Sequence, residues 1–320
     1  MATCIGGLAT SHSPQLNTEP PIWLVRAEWD RSNPVFDFQT LLERPGLRDL
    51  SRDLEPDEMW RRYERCQSAI ARLSAHLLEL KPDVVVIVGD DQHEMFPGDV
   101  IPAISIYGAD SLEDLPRPLE SLHASQVAGE WAYHGTVPVS RPTNGALGKH
   151  LVKSLTKSNF DVTHIRSQPE GRSIGHAYTF IQRRLMGDRI VPIVPIMVNT
   201  DHTDSSPSPA RCWTLGKALR DAIDSFDEDL RVMVVGSGGL SHFKVDEALD
   251  AGVLECLASP HEAAFDWLPD EEMILGTSEI RNWIVTSGAL QDRRFELIDY
   301  VPAYRSEAGT GCGMGFAIWR

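Results

Sequence analysis

Two histidines stand directly after apolar segments, and their positions are the clearest sign of chemistry in this sequence. Residues 5–8 lead into a Ser-His pair ending at His12, and residues 232–235 lead through glycines into a second Ser-His pair ending at His242. Both apolar segments predict buried strands. The strands of an open α/β sheet deliver the residues at their carboxyl ends to one crevice. The pair therefore predicts a metal-binding or proton-transfer site.

Further imidazoles and carboxylates follow other predicted strands or begin predicted helices. Divalent first-row metals take such ligands, and two histidines with one carboxylate leave positions open for O2 and substrate, as in non-haem Fe(II) oxygenases. A histidine outside the coordination shell could carry protons. These candidates are Asp90-Asp91-Gln92-His93-Glu94, His176 at a predicted helix start, Asn199-Thr200-Asp201-His202, and Glu279 in the first turn of the last helix.

Each of these residues also has a structural explanation when it is taken alone. A single histidine at a strand end is commonly a hydrogen-bonded structural residue. Asp90 and Asp91 suit the cap of a turn, and Glu279 suits the positive end of a helix dipole. The glycines at 236–239 fit neither a nucleophile elbow nor a dinucleotide fingerprint. Only the combined pattern favours a functional site.

Composition narrows the class of protein. The 320 residues carry a formal net charge of −16 without a basic cluster, which argues against nucleic-acid binding. The sequence has no apolar run long enough for a membrane span and no signal-peptide pattern, so we expect no membrane association. Five scattered cysteines without a CxxC pair predict reduced thiols and a cytoplasmic protein.

Alternating strand and helix patterns predict an α/β fold, with one domain over 1–320 and a central mixed, largely parallel sheet flanked by helices. Residues 17–56 form a predicted irregular insertion and a candidate lid. Two prolines place the segment 190–198 at a sheet edge or in a bulge, and the glycine-rich run 310–315 reads as a loop before a last strand at 316–319. The predicted strands are 2–9, 84–88, 103–107, 161–164, 190–198, 231–235 and 316–319; the predicted helices are 56–80, 144–157, one after Gly175, 209–223, 245–257, and one capped by Thr277 and Ser278.

Four segments, in order along the chain, resemble the class III extradiol ring-cleavage dioxygenases, the superfamily of the protocatechuate 4,5-dioxygenase catalytic subunit. The matching segments span most of the chain, and four in order are specific although each is short. They are Gly7-Leu8-Ala9-Thr10-Ser11-His12-Ser13-Pro14, Pro195-Ile196-Met197-Val198-Asn199-Thr200 with Pro209-Ala210-Arg211-Cys212, Ser237-Gly238-Gly239-Leu240-Ser241-His242-Phe243, and Ser278-Glu279-Ile280-Arg281-Asn282-Trp283.

The resemblance implies a mononuclear Fe(II) enzyme that uses O2 to open a catechol-type ring, such as a protocatechuate, gallate or O-methylgallate-like ring, beside its hydroxyls. His12 matches the first metal ligand and Glu279 the carboxylate ligand. His242 matches the base that accepts the substrate proton. His176 stands where a second active-site histidine is expected, as an acid or as a hydrogen-bond donor to O2.

The second histidine ligand is where the sequence departs from the family. The family places Asp-His directly after the strand that corresponds to residues 84–88, whereas the register here gives Asp91 and then Gln92, with His93 one position later. Either Gln92 binds the metal through its amide oxygen or a loop shift brings in His93; register favours Gln92.

The expected partners are a small aromatic diol, O2 and a second copy of the chain, because symmetric dimers are the default for soluble enzymes. Some relatives use a companion small subunit, which the insertion at 17–56 could replace. A ring carboxylate could bind Arg211, Tyr304 or Arg305. The competing hypotheses are a zinc-dependent hydrolase or isomerase, in which the metal activates water, and a non-catalytic binding protein on the same scaffold.

Overall fold

A nine-stranded mixed sheet forms the centre of the molecule. The computed structural model describes residues 1–33, 35, 37–200, 204–269 and 271–320. The strand order is β10-β11-β1-β8-β2-β7-β3-β6, with β9 paired to β11, while β4 and β5 form a separate ribbon. The strands are β1 (Thr3–Thr10), β2 (Val84–Gly89), β3 (Ile104–Tyr107), β4 (Ser111–Asp114), β5 (Val139–Pro142), β6 (Thr163–Ile165), β7 (Ile193–Val198), β8 (Arg231–Ser237), β9 (His242–Lys244), β10 (Phe295–Tyr304) and β11 (Thr310–Trp319).

Helices cover both faces of this sheet. A π-helical segment, Ile181–Met186, continues α6, and a 3-10 segment, Leu275–Glu279, precedes α9. None of the helices in the described part of the chain is long and apolar enough to cross a membrane. The helices are α1 (Pro20–Asp30), α2 (Phe38–Glu43), α3 (Pro56–Leu80), α4 (Ala124–Val127), α5 (Gly145–Lys157), α6 (His176–Phe180), α7 (Pro209–Asp224), α8 (Glu247–Ala258) and α9 (Ile280–Ala289).

The four central strands explain why the site lies where it does. Strands β1, β8, β2 and β7 are parallel neighbours, so their carboxyl ends meet at one edge. Strands β11 and β10 continue the sheet antiparallel on one side, and β3 is antiparallel to β7 on the other. The predicted single α/β domain with a central mixed sheet flanked by helices is therefore confirmed, with the parallel strands at its middle.

Strand β2 shows how the sheet supports two cores. Val84, Val86 and Val88 pack into the cluster formed with α5, α7, α8 and α9, whereas Val85 and Ile87 pack into the cluster formed with α3 and α6. A strand buried on both faces needs a continuous β-branched run, which is the pattern that the sequence displays. Helix α3 begins at Pro56 and buries one apolar face, as predicted.

The prediction that residues 17–56 are irregular is wrong, because α1 and α2 lie inside them. Helix α1 buries Trp23, Ala27 and Asp30, which share one face at helical spacing. The aspartate interrupts the apolar pattern, and its burial is compensated by an ion pair in which Arg305 Nε lies 2.6 Å from Asp30 Oδ2. A sequence pattern read only through apolar residues misses such a helix.

The prediction of an edge or bulge for the segment with two prolines is also wrong. Strand β7 lies inside the sheet, between β2 and β3, and Pro195 pairs in register with Ile87. The pairing between β3 and β7 ends at Ile196. Pro195 therefore lies just beyond the β3 ladder, where its missing N–H removes no ladder hydrogen bond.

The glycine-rich run at 310–315 is not the predicted loop but the first half of β11. Its glycines allow close packing within the sheet rather than a turn. A Cβ added to Gly313 would lie 2.0 Å from Oδ2 of the buried Asp250. The strand therefore needs glycine at this position because a side chain would collide with Asp250. Strand propensity alone predicts a loop for such a glycine-rich run.

The last helix begins later than predicted, and Thr277 and Ser278 do not cap it. Helix α9 starts at Ile280, with Glu279 as its N-cap residue and no side-chain cap bond. The Thr277 hydroxyl donates to the carbonyl of His242 (2.9 Å) and accepts from the same residue's N–H (3.0 Å). The Ser278 hydroxyl donates to the carbonyls of Thr200 and Leu275. Thr277 therefore fixes the backbone of His242, and Ser278 links the 3-10 segment to Thr200.

Asp250 on α8 holds the turn that carries His242. Its carboxylate accepts hydrogen bonds from Ser241 N (2.8 Å), Ser241 Oγ (2.7 Å) and the Tyr300 hydroxyl (2.6 Å). Burial raises the pKa of Asp250 to about 6, although these donors favour the ionised form. The carboxylate is the shared acceptor that joins α8, β10 and the Ser-His turn.

Replacing this acceptor should destabilise the fold. We predict that Asp250→Ala lowers the free energy of unfolding by about 3 kcal/mol, because three donors lose their partner in a buried site. Glu255→Ala, which removes an exposed carboxylate from the same helix, should change it by less than about 0.5 kcal/mol. Urea unfolding measures both; equal effects of the two variants would contradict the role given to Asp250.

Candidate functional site

Four structural elements bring the candidate residues to one cavity. His12 follows β1, Asp90 follows β2, Gly239 follows β8, and Glu279 ends the 3-10 segment before α9. They lie where the central parallel strands end, which is the expected ligand position in an open α/β sheet. The cavity beside them has a volume of about 340 Å³, and its walls include His12, Glu279, His242 and His176.

The buried carboxylate of Glu279 lies at the centre of the cluster. Its side chain is 1% exposed. Oε2 accepts a hydrogen bond from Gly239 N (2.6 Å) and lies 3.6 Å from His12 Nε2. Oε1 accepts from Gln92 Nε2 (3.0 Å) and lies 3.6 Å from His242 Nε2. Burial acts to raise the pKa of Glu279, but His12 and His242 hold it well below its usual range.

The hydrogen bonds of His12 fix which of its nitrogens faces Glu279 as an acceptor. Ser237 Oγ donates its single proton to the Ala177 carbonyl (2.6 Å), so at 3.0 Å from His12 Nδ1 it must accept. The neutral ring then carries its proton on Nδ1 and presents an Nε2 lone pair towards Glu279. A lone pair facing a carboxylate requires a cation or a proton between them. A hydrogen bond from the ring nitrogen that faces away from the metal, here from His12 Nδ1 to Ser237 Oγ, is typical of a metal-binding histidine.

Asp90 is the residue that the sequence pattern did not single out as a ligand. Its Oδ1 is buried and has no hydrogen-bond partner among the described residues. One ligand atom each from Asp90, His12 and Glu279 lie within 4.8 Å of one another. Burial and the nearby Glu279 raise the pKa of Asp90 to about 6. Two crowded carboxylates, an orphaned oxygen and an oriented imidazole fit a divalent cation.

The predicted alternatives for the third ligand lie in different surroundings. Gln92 reaches the cluster through its amide nitrogen, which donates to Asp90 Oδ2 (3.1 Å) as well as to Glu279. His93 has a positive φ of 61°, and its side chain lines a separate small cavity with Phe96. Gln92 thus links the two carboxylates, and His93 lies outside the cluster.

Asp91 has the turn-capping role that was the structural explanation for its pair. Its carboxylate accepts from the backbone N–H groups of Met95 (2.7 Å) and Phe96 (2.9 Å). The two adjacent aspartates therefore differ in function. One stabilises the loop after β2, and the other faces the cluster.

His242 is held in one tautomer next to Glu279. Its Nδ1–H donates to the Leu240 carbonyl at 2.9 Å, which leaves Nε2 facing the carboxylate. Burial lowers the pKa of His242, but Cys312 and Glu279 together raise it to about 10. A Cβ on Gly276 would lie 1.9 Å from this ring, so only glycine there leaves room for the imidazole.

His176 belongs to a buried charge network that the sequence pattern did not reveal. Its Nδ1 lies 2.7 Å from Glu94 Oε2, and its ring packs edge-on against the ring of His12 with centroids 4.8 Å apart. Burial lowers the pKa of His176, but Glu94 raises it to about 9. Behind Glu94, His134 Nε2 lies 3.9 Å from Oε1, and its Nδ1 lies 2.7 Å from Asp114. Ionised Glu94 therefore keeps His176 protonated.

Of the three residues considered for a ring carboxylate, Arg305 alone lines the cavity. The Tyr304 hydroxyl donates to Glu247 (2.8 Å), and Arg211 Nη2 donates to the carbonyl of Asn159 (3.0 Å). Thr200 also lines the cavity. Asp201 and His202, which the sequence placed after β7, lie outside the described residues.

The insertion at 17–56 supplies one wall of the cavity. Arg26 and Trp29 from α1, with Asn33 and Val35 beyond it, face the same space as His12. The Arg26 guanidinium lies 4.9 Å from the centre of the Trp29 ring. The segment thus forms part of the cavity wall, and its role as a lid stays a prediction.

Curated proteins with similar sequences include two that are named as dioxygenases. The chain is 31% identical to the gallate dioxygenase of Pseudomonas putida over 160 residues, which is 46% of each chain. It is 29% identical over 177 residues to the 2,3-dihydroxyphenylpropionate/2,3-dihydroxicinnamic acid 1,2-dioxygenase of Comamonas testosteroni, covering 54% of this chain and 47% of that relative. The chain thus spans about half the length of the curated relatives it matches.

The fold is also found in an uncharacterized Escherichia coli K12 protein. That crystal structure superimposes with a TM-score of 0.50 over 78% of this chain and 91% of the other, at 16% identity. The profile of the catalytic LigB subunit of aromatic ring-opening dioxygenases matches residues 54–315. The chain belongs to that family.

Proposed function

We propose that this protein is a non-haem Fe(II)-dependent extradiol dioxygenase that opens a catechol-type ring with O2. The observation that carries the proposal is the buried group of His12, Asp90 and Glu279 beside a cavity that also contains His242 and His176. Relatives named as gallate and dihydroxyphenylpropionate dioxygenases support the same class of substrate. A small aromatic diol fits a cavity of about 340 Å³.

The metal ligands that we propose are His12 Nε2, Glu279 and Asp90. Asp90 takes the place of the family's second histidine because its Oδ1 is buried and has no hydrogen-bond partner among the residues that the structure describes. Gln92 then keeps the two carboxylates together through its amide nitrogen. Bound Fe(II) would hold the diol and O2 side by side and conduct electrons between them.

The two remaining histidines have opposite roles in the proposed reaction. His242 Nε2 accepts the proton of a substrate hydroxyl, because its Nδ1–H is committed to the Leu240 carbonyl. His176, kept protonated by Glu94, donates a hydrogen bond or a proton on the side of the cavity near His12. Neighbouring carboxylates raise both pKa values, that of His176 through Glu94 and that of His242 through Glu279. His242 therefore acts as a base once a bound cation shares the charge of Glu279.

Metal binding tests the ligand set without any assay of turnover. We predict that the wild-type protein binds about one Fe(II) under argon and that Asp90→Asn and Glu279→Gln each lose at least ~10-fold in affinity, since each removes a charged ligand. His93→Ala should bind as the wild type does, because this side chain lies outside the cluster. Titration calorimetry measures all four.

A different pattern would overturn this ligand set. Loss of binding in His93→Ala with retention in Asp90→Asn would assign the site to a shifted loop. Loss in Gln92→Ala, with Asp90→Asn unaffected, would assign it to the amide oxygen. A protein purified with zinc that consumes no O2 would favour the metal-dependent hydrolase.

Turnover tests the base. We predict that His242→Ala keeps Fe(II) but lowers kcat by ~10²–10⁴-fold, the usual contribution of a general base. Gly276→Ala should also lower kcat, because its methyl group displaces the His242 ring. Gly98→Ala, whose Cβ would meet only ordinary contacts at 3.4 Å, is the matched control.

The assay is O2 uptake and formation of a coloured ring-opened product from catechols, gallate and aminophenols. Full activity in His242→Ala would remove this residue from the mechanism. Iron-loaded protein that consumes no O2 with any diol would contradict the proposed function as a whole.

A further inference from the structure

Arg26 carries a positive charge into the cavity, and the described residues supply no acceptor for its Nη1. It lies on α1, and its guanidinium lines the same cavity as the proposed metal ligands. Nη1 is buried and has no hydrogen-bond partner among the described residues. A buried donor left without an acceptor costs free energy, more so on a charged group. The position therefore calls for an acceptor that the described residues do not supply.

The neighbouring charges explain why Arg26 Nη1 finds no acceptor in the part of the chain that the structure describes. The nearby carboxylate, Asp30, is already used by Arg305, whose Nε and Nη2 donate to it at 2.6 and 3.1 Å. The Thr310 hydroxyl donates to it as well, at 2.6 Å. Arg305 Nη1 donates to Gln15 at 2.9 Å. Two arginines thus share one carboxylate, and Arg305 holds both of its oxygens.

The guanidinium of Arg26 is nevertheless held in place. The Trp29 ring lies beneath it at 4.9 Å, and that ring in turn stacks on His123 with centroids 4.6 Å apart. Burial and the neighbouring Arg305 lower the pKa of Arg26 to about 10, so it stays charged at neutral pH. A planar, charged donor supported on an aromatic face is well suited to bind an anionic group.

Arg26 shares its cavity with the residues that we propose to bind the ring and the metal. Cys312 and His242 line this cavity together with Arg26. Tyr133 lines the cavity as well, and its hydroxyl donates to the carbonyl of His12. One cavity is therefore lined by Arg26, Cys312 and Tyr133 and by the proposed ligands His12 and Glu279.

We infer that Arg26 binds a carboxylate carried by the aromatic diol and so selects acidic substrates over neutral catechols. This inference rests on the proposed function and narrows its substrate class. The carboxylate would supply the acceptor that Nη1 lacks, and a guanidinium can bind it through two parallel hydrogen bonds. Arg305 is a positioning residue in this arrangement, because it occupies Asp30 and leaves Arg26 for the ligand.

The test compares each acid with its own neutral amide. The pairs are 3,4-dihydroxybenzoate with 3,4-dihydroxybenzamide, and 3-(2,3-dihydroxyphenyl)propionate with its amide. We expect the wild type to prefer the acid of at least one pair by ~10- to 100-fold in kcat/KM, the effect of a charge-assisted hydrogen bond. Arg26→Gln should abolish that preference by slowing the acid and leaving the amide within ~3-fold.

Two further variants separate binding from folding and from general charge. Arg26→Lys keeps the positive charge but loses the two parallel N–H donors of the guanidinium, so it should retain part of the preference for the acid over the amide. Arg31→Gln removes an exposed arginine at the end of the same helix, paired with Glu307, and should leave acid and amide unchanged. The acid–amide comparison in the wild type needs no variant, so a poorly folded Arg26→Gln would not block the test.

Binding measured under argon keeps the inference apart from the proposed function. The affinity for 3,4-dihydroxybenzoate, measured by the quenching of tryptophan fluorescence, should fall at least ~10-fold in Arg26→Gln, even if no diol is turned over. If diols are opened but acid and amide are equivalent in the wild type, the inference fails and the function stands. If no diol is opened yet the acid binds through Arg26, the function fails and the anion site stands. Equal binding of the acid by wild type and Arg26→Gln would overturn the inference in either case.

Discussion

The buried carboxylate of Glu279 is the group on which the rest of the site depends. A charge that is 1% exposed must be compensated, or it would lose its charge or destabilise the fold. The compensating groups come from elements that are far apart in sequence. They are the N–H of Gly239 after β8, the amide of Gln92 after β2, and the imidazoles of His12 after β1 and of His242 in β9. Those elements must therefore meet at one point, and the parallel order of the central strands lets them do so.

The tautomers of the two histidines follow from neighbours that have no chemistry of their own. Ser237 and Leu240 each engage an Nδ1 atom, so both Nε2 atoms face Glu279. The cluster thereby presents lone pairs to a carboxylate, with a second carboxylate, Asp90, beside it. Such an arrangement has an excess of negative charge and acceptors, and a divalent cation resolves it. The negative charge of Glu279, which would hold the metal, also raises the pKa of His242 to about 10. A cation that shares this charge would lower the pKa of His242 and so prepare it to act as a base.

Much of the fold could be predicted from the sequence because its signals are local. The continuous valine run of β2 and the apolar period of α3 gave those elements nearly to the residue. The errors came where distant contacts override local preference. Pro195 is tolerated inside the sheet because a ladder ends beside it, Gly313 is a strand residue because Asp250 needs the space, and α1 is concealed by its buried ion pair with Arg305.

The candidate site was predictable in part for the same reason. The Ser-His pairs and Glu279 carry recognisable local patterns, whereas Asp90, Glu94 and Arg26 acquire their significance only from neighbours in space. An orphaned oxygen or an unmatched guanidinium has no sequence signature. In the 90–94 run, the pattern directed attention to Gln92 and His93, while the fold turns Asp90 towards the cluster.

A crystal structure of the protein loaded with Fe(II) under argon, with anomalous diffraction recorded at the iron edge, tests the central claim most directly. The account predicts one strong peak within bonding distance of His12 Nε2 and of carboxylate oxygens from both Asp90 and Glu279, with Gln92 bridging the two carboxylates. A peak bound by His93, or iron bound without Asp90, would contradict it.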